Sequence, residues 1–263
     1  MRADPHVSFP DFITPQARVV IVSGSGMSAE SGIPTFRDAQ SGLWSRFSPE
    51  ELATPDAFKS NPARVWQWYE HRRSSIRAAQ PHDGHAALVA LEELFSHVSV
   101  VTQNVDGLHQ KAGSGHVIEL HGNILNTVCS VTDRGIDTNW LDAQYASPPP
   151  SPHHPDGLAR PAVVWFGESL DESSLLEAVG LLQNCKLCLV VGTSAQVQPA
   201  ASLPLIARDA GAHLLEINPE PTPLSAVAHD SLRMSASDGL SRVLDILRSS
   251  RSLDPTESQF PRS

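Results

Sequence analysis

The sequence predicts an α/β fold: a Rossmann-like, doubly wound parallel sheet with a smaller inserted domain. Strand-like apolar runs alternate with helix-like segments, the pattern of parallel strands joined by crossover helices. The first run, Val19-Val20-Ile21-Val22, leads straight into a glycine turn, Gly24-Ser25-Gly26-Met27-Ser28-Ala29-Glu30. Two segments, 37–80 and 123–160, break the alternation and are expected as insertions.

Strands are expected near 18–22, 97–102, 116–119, 161–165, 186–191 and 212–217. These runs are short, apolar and rich in β-branched residues, as buried strands are. Helices are expected near 62–79, 83–95, 170–183, 199–210 and 239–249. The large part then comprises 16–36, 81–122 and 161–248, within one domain spanning 1–263. Segment 37–80 is aromatic, charged and mostly helical; Asn61 suits a helix N-cap and Pro62 its first turn. Segment 123–160 reads as irregular, with Pro148-Pro149-Pro150-Ser151-Pro152-His153-His154-Pro155. The polar tail 249–263 is expected to be disordered.

Composition narrows the function. A net charge of −10 over 263 residues argues against general binding to nucleic-acid phosphates, and leaves room for a local basic-peptide site. No apolar run approaches the ~20 residues of a membrane span. The first 15 residues make neither a signal peptide nor an Arg-rich transit peptide. Three cysteines give no disulfide framework. The expectation is an intracellular protein, cytoplasmic first, with mitochondrial or nuclear placement as alternatives.

Gly24, Gly26 and Ala29 fit the dinucleotide spacing G-x-G-x-x-G/A. Glycine lets the backbone turn tightly and approach a pyrophosphate, and N–H groups at the next helical turn would meet the anion. Alone, this spacing also describes an ordinary βα turn. The ribose-binding acid expected about 20 residues on, after a second strand, is missing. Instead the chain continues through Ile33-Pro34-Thr35-Phe36-Arg37, which suits a loop folding over a ligand. There Arg37 would offer bidentate donors to a bound anion and Phe36 would cover the ligand; the alternative is ordinary loop packing.

Asn104 and Asp106 follow the run Val98 to Val101, at the carboxyl end of a strand, where ligands gather in doubly wound sheets. The alternative is an Asx-turn ending the strand. His121 also lies just past a strand and has the side chain of a base usable at neutral pH. The alternative is a strand-end histidine bonded to backbone. Tyr69 and Arg72 are three apart, hence on one helix face, and a hydroxyl beside a guanidinium suits a carboxylate. The alternative is a core tyrosine beside solvated arginines. Cys185 and Cys188 form a C-x-x-C inside an apolar run and read as buried structural thiols.

Six motifs in order, covering about residues 18 to 245, resemble those of the sirtuins, NAD-dependent protein lysine deacylases. They are the glycine turn through Arg37; Thr102-Gln103-Asn104-Val105-Asp106-Gly107-Leu108-His109; Glu119-Leu120-His121-Gly122; Pro161-Ala162-Val163-Val164-Trp165-Phe166-Gly167-Glu168; Val191-Gly192-Thr193-Ser194; and Ile217-Asn218-Pro219-Glu220. Ser25 and Asp38 depart slightly from the first motif, standing where many sirtuins have Ala and Gly.

The resemblance implies NAD as a consumed co-substrate. The acyl oxygen of an acyl-lysine attacks the ribose carbon as nicotinamide leaves, giving free lysine and 2′-O-acyl-ADP-ribose. It implies His121 as general base, with Asn104 and Asp106 at the nicotinamide ribose. It implies cofactor contacts from Gly24, Ser25, Gly26, Ser28, Ala29, Glu30, Phe36, Arg37, Gln103 and Val105, and from the two late loops, Gly192-Thr193-Ser194 and Asn218-Pro219-Glu220. The substrate-binding strand within Pro161 to Glu168 would hold the acyl-lysine peptide through Val164, Trp165, Phe166, Gly167 and Glu168. Tyr69, Arg72 and Ala53, the last within Leu52-Ala53-Thr54-Pro55, resemble the acyl pocket of class III sirtuins, which remove succinyl, malonyl and glutaryl groups.

Most sirtuins also carry two Cys-x-x-Cys pairs between the histidine and peptide motifs. Here that interval holds only Cys129, with Thr132 where a second cysteine would stand. Four zinc ligands cannot be assembled from Cys129, His153 and His154, so zinc is not expected. The alternatives left open are a catalytically weak NAD- or acyl-peptide-binding module, a mono-ADP-ribosyltransferase and, least supported, a nicotinamide oxidoreductase.

Overall fold

Residues 7–35 and 47–252 are described in a computed structural model of the chain. The strands are β1 (Arg18–Ser23), β2 (His97–Thr102), β3 (Val117–Glu119), β4 (Gly122–Cys129), β5 (Ala159–Val163), β6 (Leu187–Val191), β7 (His213–Ile217) and β8 (Asp230–Leu232). The α-helices are α1 (Pro49–Leu52), α2 (Pro55–Ser60), α3 (Pro62–Ala78), α4 (Asp83–Leu94), α5 (Leu108–Ala112), α6 (Thr138–Asp142), α7 (Glu172–Asn184), α8 (Leu203–Asp209) and α9 (Ala236–Ser252).

The two-residue period of the strands builds the main sheet. Val19 and Ile21 enter one core with Leu187, Leu189 and Leu215, beneath Leu88 of α4 and Leu240 of α9. Val20 and Val22 enter the opposite core with Cys188, Val190 and Leu214, beneath Leu182 of α7 and Leu203 of α8. Strands apolar on both faces must be covered on both, hence the three layers. The six strands are parallel, in the order β3-β2-β1-β6-β7-β8. The chain winds outward from β1 to β3, then from β6 to β8 on the other side. The winding reverses between β1 and β6, and the crevice at their carboxyl ends is where such sheets bind ligands.

A second layer of structure sits over that crevice. β4 and β5 form an antiparallel pair, packed against α2 and α3 through Ile124, Val163, Phe58, Trp68 and Tyr69. Its register shifts between Asn123 and Thr127, which leaves backbone carbonyls unpaired by the ladder. Arg73, 1% exposed, supplies the donors: Nε to the Ile124 carbonyl at 2.6 Å and Nη2 to the Asn126 carbonyl at 2.8 Å. Its remaining nitrogen pairs with Glu70 at 2.6 Å. Thus Arg73, which the alternative of solvated arginines would leave in water, joins α3 to the bulge in β4.

Four sequence expectations are corrected. The run expected at 161–165 forms a strand, but as β5 in the small sheet. Segment 123–160 is not wholly irregular, because β4 occupies its start; that strand mixes polar and apolar residues and is stabilised by its partner. α9 begins at Ala236 and reaches Ser252, so it covers the start of the expected tail. The rest of that tail, 253–263, lies outside the described residues. The region expected as one helix at 199–210 divides into a 3₁₀ turn, Ala200–Ser202, and α8.

Asn61 caps α3, its Oδ1 accepting the Arg64 N–H at 3.0 Å, with Pro62 in the first turn. Cys185 and Cys188 are free and buried, with thiol pKa values pushed up by burial, to about 11 for Cys185. No helix among the described residues is long and apolar enough to cross a membrane.

Candidate active site

Backbone contact explains the glycines at the crevice. The Gly24 N–H donates to the Val191 carbonyl at 3.0 Å and the Gly26 N–H to the Gly192 carbonyl at 2.8 Å. The turns after β1 and β6 therefore interlock. A Cβ on Gly24 would lie 2.8 Å from Thr193, and one on Gly192 would lie 2.3 Å from the Met27 nitrogen. Gly192 also has φ of +61°, where side chains are strained. The segment Ser25–Ser31 then turns as a 3₁₀ helix.

Ser28 on that turn is buried and faces β2's carboxyl end. Its hydroxyl donates to Asp106 Oδ2 at 2.7 Å and accepts from Asn104 Nδ2 at 3.0 Å. Asp106 Oδ1 accepts the Leu108 N–H at 2.9 Å. Burial raises the Asp106 pKa, and these donors oppose the rise. The Asx-turn alternative is therefore realised at Asp106 and not at Asn104, and both side chains line the cavity.

His121 stands between β3 and β4. Its Nδ1 is 3.0 Å from the Gln103 carbonyl, which can only accept, so Nδ1 carries the proton and Nε2 keeps a lone pair. Burial lowers its pKa below 6.5, partly opposed by that hydrogen bond. Gln103 Nε2 donates to Thr193 Oγ1 at 3.0 Å, and Asn218 Nδ2 donates to the Thr193 carbonyl at 2.9 Å. The loops after β2, β6 and β7 are thereby tied together. Glu30 accepts the Ser237 N–H at 2.9 Å, joining the glycine turn to α9.

The segment after β5 is strung between the two lobes. The Val164 N–H donates to the His121 carbonyl at 2.9 Å, and the Phe166 N–H to the Ala53 carbonyl at 2.9 Å. Trp165 Nε1 donates to the Tyr69 hydroxyl oxygen at 2.9 Å. The Arg160 guanidinium lies 3.5 Å from the Trp165 ring centroid and grips both Glu168 oxygens, at 2.6 and 2.8 Å. The Glu168 carboxylate also accepts the Trp165 N–H, so it is turned toward this support. Burial pushes the Tyr69 pKa up to about 12, keeping the phenol protonated. The Arg72 guanidinium stacks 5.2 Å from the Trp68 ring centroid and has no ion pair with a carboxylate among the described residues.

These groups line one cavity of about 1190 Å³. Its walls include Gly24 to Gly26 and Ser28 to Glu30 of the glycine turn, Gln103 to Asp106, His121, Gly192 to Ser194 and Asn218 to Glu220. They also include Ala53, Tyr69, Arg72 and Val164 to Glu168. Phe36 and Arg37 lie outside the described residues. Sequence reasoning missed Trp68, Ile76, Gln198 and Ser235, which also line it. Ile76 follows Arg72 by four and Tyr69 by seven, so the helix face already singled out could have found it. Gln198 and Ser235 reach the cavity only through the tertiary fold.

The Sir2 family profile matches residues 24–199. An NAD-dependent protein deacylase of Aquifex aeolicus is 48% identical over 234 residues, 88% of this chain and 95% of that protein. NAD-dependent protein deacylase 1 of Caldanaerobacter subterraneus is 50% identical over 224 residues, 84% of this chain and 91% of that protein. The crystal structure of a Sir2 homolog–NAD complex superposes with a TM-score of 0.81 at 42% identity, covering 89% of this chain and 90% of that one. A mutant Sir2 homologue with 2′-O-acetyl ADP ribose gives the same TM-score over 91% and 95%. On this likeness in sequence and in fold, the chain belongs to the Sir2 family.

Proposed function

We propose that this NAD-dependent protein deacylase removes short acidic acyl groups (succinyl, malonyl or glutaryl) from lysine in preference to acetyl. Arg72 carries the reading. It lines the cavity beside Tyr69 and Ala53, without a carboxylate ion-pair partner among the described residues. An acyl carboxylate must lose water to enter, which is unfavourable without a charge-assisted partner. Arg72 supplies that partner. The Tyr69 oxygen already accepts from Trp165, so its hydroxyl hydrogen remains to donate. Ala53 leaves room for the longer chain.

The donor set suits NAD. A cleft of about 1190 Å³ exceeds the ~300–1,000 Å³ of drug-sized sites, room for a dinucleotide with a peptide side chain. Gly24, Gly26 and Gly192 would approach it closely, Asn104 and Asp106 would bind ribose, and Thr193, Asn218 and Glu220 would meet the adenosine end. Bound NAD supplies the ribosyl acceptor for the acyl oxygen, with nicotinamide as the leaving group. His121 Nε2 takes up the proton of a ribose hydroxyl, and Gln103 holds the ring in the tautomer that leaves that nitrogen free.

Zinc takes no part in this reading. Among the described residues no group of three or more His, Cys, Asp or Glu could hold a metal. The positions spaced for two Cys-x-x-Cys pairs hold Cys129, Thr132, Ser151 and His154, and hydroxyls are poor zinc ligands.

The test compares kcat/KM on succinyl- and acetyl-lysine versions of one peptide, in wild type and Arg72→Met. A hydrogen bond to a charged group is worth about 1.5–3 kcal/mol, so desuccinylation is expected to fall tenfold to a hundredfold, and deacetylation far less. Equal losses, or a wild type preferring acetyl, would refute the acidic-acyl reading.

A further inference from the structure

Arg160 on β5 lies outside the cavity, yet its contacts run toward the acyl pocket. It is buried, and its guanidinium takes both Glu168 oxygens, Nη1 at 2.6 Å and Nη2 at 2.8 Å. Nη2 also donates to the Val163 carbonyl at 3.0 Å. Its Cζ lies over the Trp165 ring, 3.5 Å from the centroid. Glu168 Oε2 accepts the Trp165 N–H at 2.8 Å, and the Glu168 N–H donates to the Trp165 carbonyl at 3.0 Å. The chain from Trp165 to Glu168 is thus a closed turn, with Gly167 at a φ of +89°. Burial alone would raise the Glu168 pKa, but Arg160 and the Trp165 N–H outweigh burial and lower it.

Trp165 passes this support on. It is buried, its ring centroid lies 5.2 Å from that of Phe58, and its Nε1–H donates to the Tyr69 hydroxyl oxygen at 2.9 Å. A hydroxyl hydrogen rotates to suit its partners, and a donor on one side of the oxygen sends it to the other. The Trp165 bond therefore decides which way Tyr69 presents its hydrogen. A carboxylate can only accept. With the indole in place, it meets a hydrogen on Tyr69. With the indole displaced, the hydroxyl is free to turn a lone pair to it instead. An acetyl group ends in a methyl and is indifferent to that choice.

We infer that Arg160 is a positioning residue for acyl selectivity, holding the Trp165 indole so that Tyr69 directs its hydroxyl hydrogen, beside Arg72, to the carboxylate of an acidic acyl group. Glu168 is the counter-charge that sets the guanidinium over the indole. Lysine does not replace arginine here, because only the planar fork spans two carboxylate oxygens while stacking on an aromatic face. The inference rests on the acidic-acyl reading above, and the two fail differently.

The full-length protein is compared with Arg160→Lys, Tyr69→Phe and the double variant on succinyl- and acetyl-lysine versions of one peptide. Indole N–H resonances are followed by nitrogen–proton NMR; the chain has five tryptophans, and the resonance lost in Trp165→Phe belongs to Trp165. Arg160→Lys is expected to shift that resonance and to speed its exchange with water. It should lower the succinyl-to-acetyl ratio of kcat/KM about threefold to tenfold, the weight of one neutral hydrogen bond, through a higher KM for the succinyl peptide. In the Tyr69→Phe background the same substitution should leave the ratio unchanged, because the hydroxyl through which Arg160 acts is gone. A purely structural Arg160 would instead slow both peptides alike, or lower the ratio in both backgrounds. Either result, or an unmoved indole resonance, overturns the positioning role and leaves the role of Arg72 standing. A wild type preferring acetyl overturns the acidic-acyl reading and this inference together. If Arg160→Lys does not fold, Glu168→Gln, which removes the charge that holds Arg160, is read by the same ratio and the same resonance.

Discussion

At the scale of single residues, His121 and Gly192 test the site most directly. His121 can take a proton only when neutral. Burial lowers its pKa, so the neutral form dominates at pH 7. The acid limb of kcat/KM is expected below pH 6.5 if this ring is the base; a limb centred above 7 would assign the role elsewhere. His121→Ala should lose at least about a hundredfold in kcat, by the usual weight of a general base, while NAD binding by calorimetry persists. Wild-type turnover in that variant would remove His121 from the mechanism. Gly192→Ala places a methyl 2.3 Å from the Met27 nitrogen at a φ of +61°. A cost of about 2–4 kcal/mol in urea unfolding is expected, because backbone must move on both sides. A stable variant would mean that the interlocked turns have slack.

At the scale of elements, the loop after β7 depends on one carboxylate. Glu216, 1% exposed, accepts hydrogen bonds from Thr222, Ser225 at 2.6 Å, Ser231 at 3.2 Å and Arg233 at 2.7 Å. Burial alone would raise its pKa, but these donors outweigh burial and lower it. The loop from Asn218 to Ser225 and strand β8 thus close around Glu216. Glu216→Ala leaves those donors without an acceptor, so KM for NAD should rise about tenfold with kcat less affected. An unchanged KM would mean the loop holds its shape without this carboxylate. Helix α3 shows the same dependence on partners. Its N-cap and the Tyr69–Arg72 face follow from local spacing, but the burial of Arg73 follows from a bulge in a strand about fifty residues away.

For the whole molecule, buried histidines set the response to acid. His85 and His109 are 0% and 1% exposed, with ring centroids 5.2 Å apart between α4 and α5. Burial lowers their pKa values to about 3 and about 4. Both are therefore neutral in the fold, whereas the unfolded chain protonates them near 6.5. As pH falls from 6.5 toward 4, only the unfolded state gains these protons, so stability drops. His121 and His213, also lowered, act with the same sign. The loss is on the order of 2 kcal/mol per deeply buried histidine between pH 7 and 5. Urea midpoints at pH 7, 6 and 5 check this, and His85→Leu should flatten the slope. A midpoint constant from pH 7 to 5 would show that these rings are protonated in the fold.

The sequence by itself determined the α/β class, the family and part of the lining of the crevice. Those features are written locally: apolar runs of strand length, glycines where backbones meet, and polar residues just past strand ends. Gly24, Asn104, His121 and Asn218 were legible because the carboxyl edge of a parallel sheet gathers whatever follows each strand. Only the tertiary structure decided which sheet β5 joins, because an apolar run carries no address for its partner. It also decided that β4 is a strand, since its mixed pattern becomes regular only beside β5. The same holds for Arg73 and Glu216. Each is a polar side chain whose environment comes from segments distant in sequence, and burial with several partners cannot be read from spacing along one segment.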